Sequence, residues 1–350
     1  MSNKVTFTVL ADMHYKKGMY LASVSDLEAI LQRAESTNSD FVIHCGDFSN
    51  DYKGSPELIN TFLDNKEELS VYGVYGNHEL ETDGNTMQYV TPLLTNRTNE
   101  VVWGNKSGKI DDGDIAYYYF DKNNFRIICL DTNYSYNSDL DEWQHNTEAS
   151  WGPPEGNIYP NSLGPVQLKW FENLLLTSAK EGKRCIIVTH APLNLNWSHY
   201  SCDSKAVCEM LKKVNKSNPG TVLMCINGHY HGNRLTVSDD IVFLNVNTVV
   251  NGYWTENGFE HYNNEHTFNK INYDVNGEIV SSTVCPLNSL WMSKKTWFFD
   301  SPLSAVISIS EDGKVKIEGS KANWIYDMPP ENVSPSRCPK IFDFSIDLKI

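Results

Sequence analysis

SDLEAILQRAESTNSDFVIHCGD, residues 25–47, changes its hydrophobic period once along its length. Leu27, Ile30, Leu31 and Ala34 recur at the spacing of a helix with one apolar face, and Ser25 and Glu28 are spaced as a capping box. Phe41, Val42 and Ile43 then read as a buried strand that stops at Gly46-Asp47. The neighbouring stretches repeat this unit. VTFTVLAD (5–12) is a strand before it, SPELINTFLDNKEEL (55–69) is a helix with Ser55 as cap and Pro56 at its first position, and VYGVYGNH (71–78) is a third strand. A β-α-β-α-β order predicts a parallel sheet with crossover helices.

The pattern resumes further on. NFRIICLDT (124–132), RCIIVTH (184–190) and TVLMCIN (221–227) read as strands, and GPVQLKWFENLLLTSA (164–179) and DSKAVCEMLKKV (203–214) as helices between them. DIVFLNV (240–246) is strand-like, and AVISISEDGKVKIEG (305–319) predicts a hairpin turning at Glu311-Asp312-Gly313 and returning to the core. The chain reads as one α/β domain over 1–350 with inserts at 80–124, 132–163 and 250–303. The last two are rich in Asn, Gly, Tyr and Trp, which suits ordered aromatic loops over a site, with 250–303 lid-like.

Composition narrows the function. With 350 residues, 40% hydrophobic and 21% charged, the chain has the make-up of a soluble globular protein. No run approaches the ~20 apolar residues that span a bilayer, and MSNKVTFTVLAD has no apolar signal region, so the chain as given reads as cytoplasmic. A net charge of −15 without any Lys/Arg run disfavours nucleic acid and anionic membranes as partners and leaves a small anionic substrate, provided something local supplies positive charge. Cys45, Cys129, Cys185 and Cys225 sit in apolar runs as ordinary buried thiols, and the absence of a C-x-x-C pair argues against a zinc knuckle or redox motif. Oligomeric state leaves no mark in the sequence.

Polar residues cluster where strands end. In INGHYHGNR (226–234), His229 and His231 are two apart, so at an extended strand end both side chains would face one pocket. Asp12 and His14 follow the first strand, Asp47 the second, Asn77 and His78 the third, and His190 ends RCIIVTH. The carboxyl ends of such strands share one edge, so these side chains are expected to converge there. Carboxylates, imidazoles and one amide form a ligand set for divalent first-row metals. They are too many for one ion and divide between two ions about 3.5–4 Å apart, with one carboxylate bridging. Two dications would also supply the positive field that an acidic chain otherwise lacks.

Taken together, Asp12-Met13-His14, Gly46-Asp47, Gly76-Asn77-His78-Glu79, Thr189-His190-Ala191-Pro192 and Gly228-His229-Tyr230-His231 resemble the five motifs of the calcineurin-like metallophosphoesterase superfamily. The likeness covers roughly residues 5 to 235 and is nearest the bacterial branch that holds class III cyclic-nucleotide phosphodiesterases and glycerophosphodiesterases, partly through His14. The resemblance implies a four-layer α/β/β/α sandwich with a dinuclear site at the carboxyl edge of two packed sheets. It implies Asp12, His14 and His231 on one metal, Asn77, His190 and His229 on the other, and Asp47 bridging. His78 would be the catalytic histidine that contacts the phosphoryl oxygen or protonates the leaving group. The implied cofactors are two divalent ions, Mn, Fe or Zn, which activate a hydroxide to attack phosphorus. The implied function is hydrolysis of a small phosphodiester or phosphomonoester.

The chain also departs from its relatives. Where many carry an acid, and purple acid phosphatases a tyrosinate, this chain has Asn50, which disfavours the tyrosinate-iron variant and leaves the orientation of His78 open, with Asp51 as one candidate substitute for the acid. GDFSNDY lacks the Asp-Arg-Gly run of Ser/Thr protein phosphatases. Two other readings fit the same motifs: a nuclease of the superfamily, against which the charge argues, and a metal-binding interaction module without turnover.

Any one of these residues has an ordinary structural explanation, a turn for Asp12, a cap for Asn77, a core imidazole for His190. His44 reads as packing, and Asp131 as structural or as a support behind the ligands. Asn50, Asp51, Trp197 and His199 are the expected substrate-side residues, whereas His261 and His266 read as solvated surface.

Overall fold

The structure is a computed structural model that describes residues 3–17, 21–64, 69–80, 90, 93–104, 116–145, 158–194, 201, 203–254, 267–273, 279–286, 296–325 and 334–350. Two mixed sheets stack face to face. The six-stranded sheet runs, in spatial order, Phe344–Asp347, Lys314–Gly319, Ala305–Ser310, Lys4–Leu10, Phe41–His44 and Ser70–Gly73. Its last three strands are parallel, and the hairpin 305–319 pairs antiparallel with Lys4–Leu10, Lys4 opposite Ser310. The seven-stranded sheet runs Arg234–Ser238, Ile241–Asn245, Val222–Asn227, Arg184–Val188, Phe125–Cys129, Tyr118–Lys122 and Val102–Trp103, parallel in the middle and antiparallel at both edges.

The side-chain period of two assigns the layers. In Arg184–Val188, Ile186 and Val188 join the large core between the sheets with Phe7, Val9, Ile127, Met224 and Ile226, whereas Cys185 and Ile187 face outward. A strand buried on both faces reads as a continuous apolar run, which is why RCIIV and VLMCI show no alternation. Helices α1 (Val24–Ser36) and α2 (Pro56–Leu63) cover the six-stranded sheet through Leu27, Ile30, Leu31, Leu58 and Phe62. Helices α3 (Gly164–Lys180) and α4 (Ser204–Ser217) cover the other through Phe171, Leu175, Val207 and Leu211. The result is the α/β/β/α sandwich that the motifs implied.

Several local expectations are corrected. The cap of α1 is Ser23, whose N–H donates to Asp26 Oδ2 at 2.8 Å, rather than the pair Ser25 and Glu28, because Val24 already takes helical dihedrals. α2 ends at Leu63, where Asp64 N caps Asn60 O at 2.7 Å; residues 65–68 lie outside those described. The stretches read as loops contain strands. Tyr118–Lys122 is a hairpin partner of Phe125–Cys129, and Tyr134–Asn137, Glu142–His145 and Ile158–Ser162 form a small sheet. Asn251–Trp254 pairs with Thr296–Phe298, and Thr267–Tyr273 with Ile279–Pro286. Their Asn, Gly and aromatic content hid the period of two that marks a strand.

Candidate metal centre and active site

Every strand that leads to the centre stops before its functional residue does. Lys4–Leu10 ends two residues before Asp12, Phe41–His44 three before Asp47, and Ser70–Gly73 four before Asn77, which opens a 3-10 turn, Asn77–Leu80. Asp12, His14, Asp47, His229 and His231 have φ of 52°, 49°, 49°, 69° and 51°. The expected extended geometry, with alternate residues on one face, therefore does not apply to His229 and His231. Left-handed turns aim these side chains instead, at a cost of roughly 1–2 kcal/mol per non-glycine residue. The surrounding hydrogen bonds sustain that strain. Asp12 N donates to Gly46 O at 3.1 Å, His14 N to Asp47 O at 2.8 Å, and His229 N to Asp12 Oδ1 at 2.9 Å.

Glycine is required where these loops touch. A Cβ at Gly46, whose φ is +84°, would stand 2.5 Å from His190 Nδ1 and 2.9 Å from Gly76 Cα.

Two ligand groups share Asp47. Asp12, His14, Asp47 and His231 form one, and Asp47, His190 and His229 the other, with the offered atoms of each lying within 4.8 Å of one another. His14 Nε2 is 2.9 Å from His231 Nε2 and 3.5 Å from Asp47 Oδ2, and His231 Nε2 is 3.5 Å from Asp12 Oδ1. On the other side, His190 Nε2 is 3.2 Å from Asp47 Oδ2, 2.9 Å from Asn77 Oδ1 and 3.0 Å from His229 Nδ1. Asp47 Oδ1 accepts from His78 N at 2.8 Å, while Oδ2, equally buried, takes no hydrogen bond among the described residues. Acceptor atoms that converge in a buried space without donors between them fit cations, and hard and borderline N/O donors suit divalent first-row ions.

The electrostatics report the same crowding. Burial opposes ionisation of Asp47, yet the His190 and His78 imidazoles hold it well below the usual carboxylate range. Burial lifts Asp12 well above that range. Burial pulls His190 down, but the charge of the adjacent Asp47 carboxylate overcomes it and carries the ring up to about 9. Burial, then His78, drives His14 down to about 3.

Asn50 resolves the orientation of His78. It is fully buried, with Oδ1 3.0 Å from His14 Nδ1 and Nδ2 3.2 Å from His78 Nδ1. If His14 presents Nε2 to the ligand group, its Nδ1 carries the proton and donates to Asn50 Oδ1. The Asn50 amide then donates to His78 Nδ1, which leaves the His78 proton on Nε2. One amide sets both tautomers. Asp51, the candidate substitute for the acid, is used elsewhere, its Oδ1 accepting from Gly54 N at 2.8 Å. Asn50→Leu is expected to lower both metal affinity and kcat by about 10- to 100-fold, read by metal titration and steady-state kinetics of one preparation.

Glu79 had no role in the sequence reading beyond its place in the motif. Its Oε2 accepts from Asp47 N at 3.0 Å and Gly76 N at 2.5 Å, and its Oε1 from Phe48 N at 2.8 Å and Ser49 N at 3.3 Å, so it ties the Asp47 loop to the Asn77 loop. Burial, then the Asp47 charge, pushes its carboxyl up to about 7. His145 was also missed. Its Nε2 is 2.9 Å from Asp131 Oδ2, whose Oδ1 accepts from Asn133 N and Nδ2, both at 2.9 Å. Asn133 Nδ2 also donates to Tyr75 O at 3.0 Å, fastening the 134–162 sheet beside Gly76. A lone imidazole in an aromatic insert carries no spacing signal for such a pair.

His44 stacks on Phe48 at 4.6 Å between ring centroids, a packing role. Trp197, His199, His261 and His266 lie outside the described residues.

A model of the calcineurin-like phosphoesterases matches residues 5–233, and the chain belongs to that family. It is a hydrolase of phosphate esters, and the chemistry is metal-dependent. Among curated proteins it is similar to the manganese-dependent ADP-ribose/CDP-alcohol diphosphatase of Xenopus laevis, 22% identical over 272 residues, spanning 65% of this chain and 76% of that protein. Among solved structures it is similar to a dimetal phosphatase of Danio rerio, with a TM-score of 0.57, 16% identity and 99% of each chain covered. Among the described residues, no helix is long and apolar enough to cross a membrane.

Proposed function

We propose that this protein hydrolyses a small-molecule phosphodiester or phosphomonoester at a dinuclear centre. Asp12, His14 and His231 would hold one ion and Asn77, His190 and His229 the other, with Asp47 shared between the two groups. The observation that carries the reading is the shared carboxylate: Asp47 Oδ2 lies 3.5 Å from His14 Nε2 and 3.2 Å from His190 Nε2, so one oxygen faces both ligand groups. Two divalent ions bound there supply Lewis acidity for the phosphoryl oxygens and an acidified water.

The remaining work falls to the chain. Asn50 Nδ2 lies 3.2 Å from His78 Nδ1, which fits the tautomer that carries its proton on Nε2, the nitrogen that can donate to a phosphoryl oxygen or to the leaving oxygen. Glu79 and Gly46 keep the loops at the spacing the ligands need. Asn77 contributes an amide where a carboxylate would have neutralised more of the metal charge, which preserves attraction for an anionic substrate. Manganese is the metal to load first, since the diphosphatase of Xenopus laevis depends on it.

The test is hydrolysis of bis-p-nitrophenyl phosphate, p-nitrophenyl phosphate and ADP-ribose by metal-stripped protein reloaded with Mn²⁺. Metal-dependent turnover is the expected result, with bis-p-nitrophenyl phosphate and the diphosphate ADP-ribose, cleaved at its P–O–P bond, ahead of the monoester. Activity that survives stripping, or none on all three, would remove the proposal.

A further inference from the structure

The loop that carries His229 and His231 also holds Tyr230, and two arginines lie against that ring. Arg234 Cζ is 3.5 Å from the ring centroid and Arg337 Cζ 4.9 Å. Arg234 follows the loop directly, but Arg337 arrives from the far end of the chain. Its segment is pinned to the loop by two buried asparagines. Asn233 N donates to Ser336 O at 2.6 Å, Asn233 Nδ2 to Lys340 O at 2.6 Å, and Asn247 Nδ2 to Cys338 O at 2.8 Å. A Cβ on Gly232 would meet Arg337 Cγ at 3.0 Å, so the arginine stem lies directly on the residue after His231.

A chain of net charge −15 thus places two half-buried guanidiniums beside its metal loop. Asn233 and Asn247 hold the tail through its backbone carbonyls. A guanidinium presents a planar fork of donors that matches phosphoryl oxygens and keeps its charge at any working pH. Both residues lie outside residues 5–233, the part matched by the family model.

We infer that Arg337, carried onto the metal loop by the tail, and Arg234 form an anion subsite for a second phosphoryl group next to the one under attack. The inference rests on the hydrolytic reading above and makes diphosphate esters the preferred class over esters of a single phosphoryl group. One phosphoryl group occupies the metal centre, and the second, which the metals do not neutralise, meets the arginines. Tyr230 supports the pair, since a guanidinium stacked on an aromatic face loses little rotamer freedom on binding.

The Mn²⁺-loaded protein and its Arg337→Ala and Arg337→Lys variants are compared on ADP-ribose and on bis-p-nitrophenyl phosphate. Arg337→Ala is expected to lower kcat/KM for ADP-ribose about 10- to 100-fold, mainly through KM, with the single-phosphoryl ester changed less than about threefold and Arg337→Lys in between. An equal loss on both esters assigns Arg337 to holding the loop and overturns the subsite, as does no loss on ADP-ribose. Calorimetric binding of methylenebisphosphonate, a non-hydrolysable diphosphate, separates the two claims. Should the wild type hydrolyse neither ester, weaker binding in Arg337→Ala upholds the subsite while the hydrolytic reading falls, and unchanged binding overturns the subsite.

Discussion

Asp47→Ala is expected to abolish metal-dependent hydrolysis, with a loss on the order of 10⁴-fold or more in kcat/KM. Asp47 is the one carboxylate common to both ligand groups, and its two oxygens do different work. Oδ2 faces His14 Nε2 and His190 Nε2, while Oδ1 receives the His78 backbone N–H at 2.8 Å. Removal therefore leaves two imidazole sets without the negative charge between them, so two dications would repel across the gap. Metal content is expected to fall with activity. Asp47→Asn separates the effects, because an amide oxygen can keep the contact to His78 N while the bridging charge is gone. Metal analysis after gel filtration, alongside bis-p-nitrophenyl phosphate turnover, checks both variants. An Asp47→Ala protein that retained two ions and full activity would mean that the ligand groups are not the centre proposed.

His78→Ala is expected to lower kcat by about 10²- to 10⁴-fold with metal content unchanged. Its ring stands edge-on to His14, 4.6 Å between centroids, and it is bonded through Nδ1 to Asn50, not directed into either ligand group. A residue that donates a proton to the leaving oxygen matters most when that oxygen is a poor leaving group. The deficit of His78→Ala should thus be larger for an alkyl phosphodiester than for a p-nitrophenyl ester. A deficit independent of the leaving group would assign His78 to holding the phosphoryl oxygen, and a loss of metal would assign it to the ligand set.

Much of the fold was legible because its central strands are buried on both faces. FVIH, RCIIV and VLMCIN are apolar throughout, and the helices between them show one-sided periodicity, so the order of elements follows from hydrophobic burial alone. The inserts were less legible, since the strands Tyr134–Asn137 and Glu142–His145 carry polar and aromatic residues at positions where alternation would have marked them. Strand ends were placed too late, at Asp47 and His78 instead of His44 and Gly73, because a glycine followed by a polar residue can end a strand or continue past it as a turn.

By itself the sequence determined which residue types stand at the carboxyl ends of the strands, and hence the metal chemistry they suit. Ligand identity is a local property, carried by a side chain and its neighbours in the chain. Only the tertiary structure decided how those side chains are aimed and what supports them. The left-handed turns at Asp12, His14, Asp47, His229 and His231 are held by hydrogen bonds between loops far apart in sequence. Asn50 reaches both His14 and His78, Glu79 clasps four backbone N–H groups, and Arg337 lies on Gly232. Each of these contacts joins segments with no fixed spacing, and no period in the sequence records a distance that exists only once the two sheets have packed.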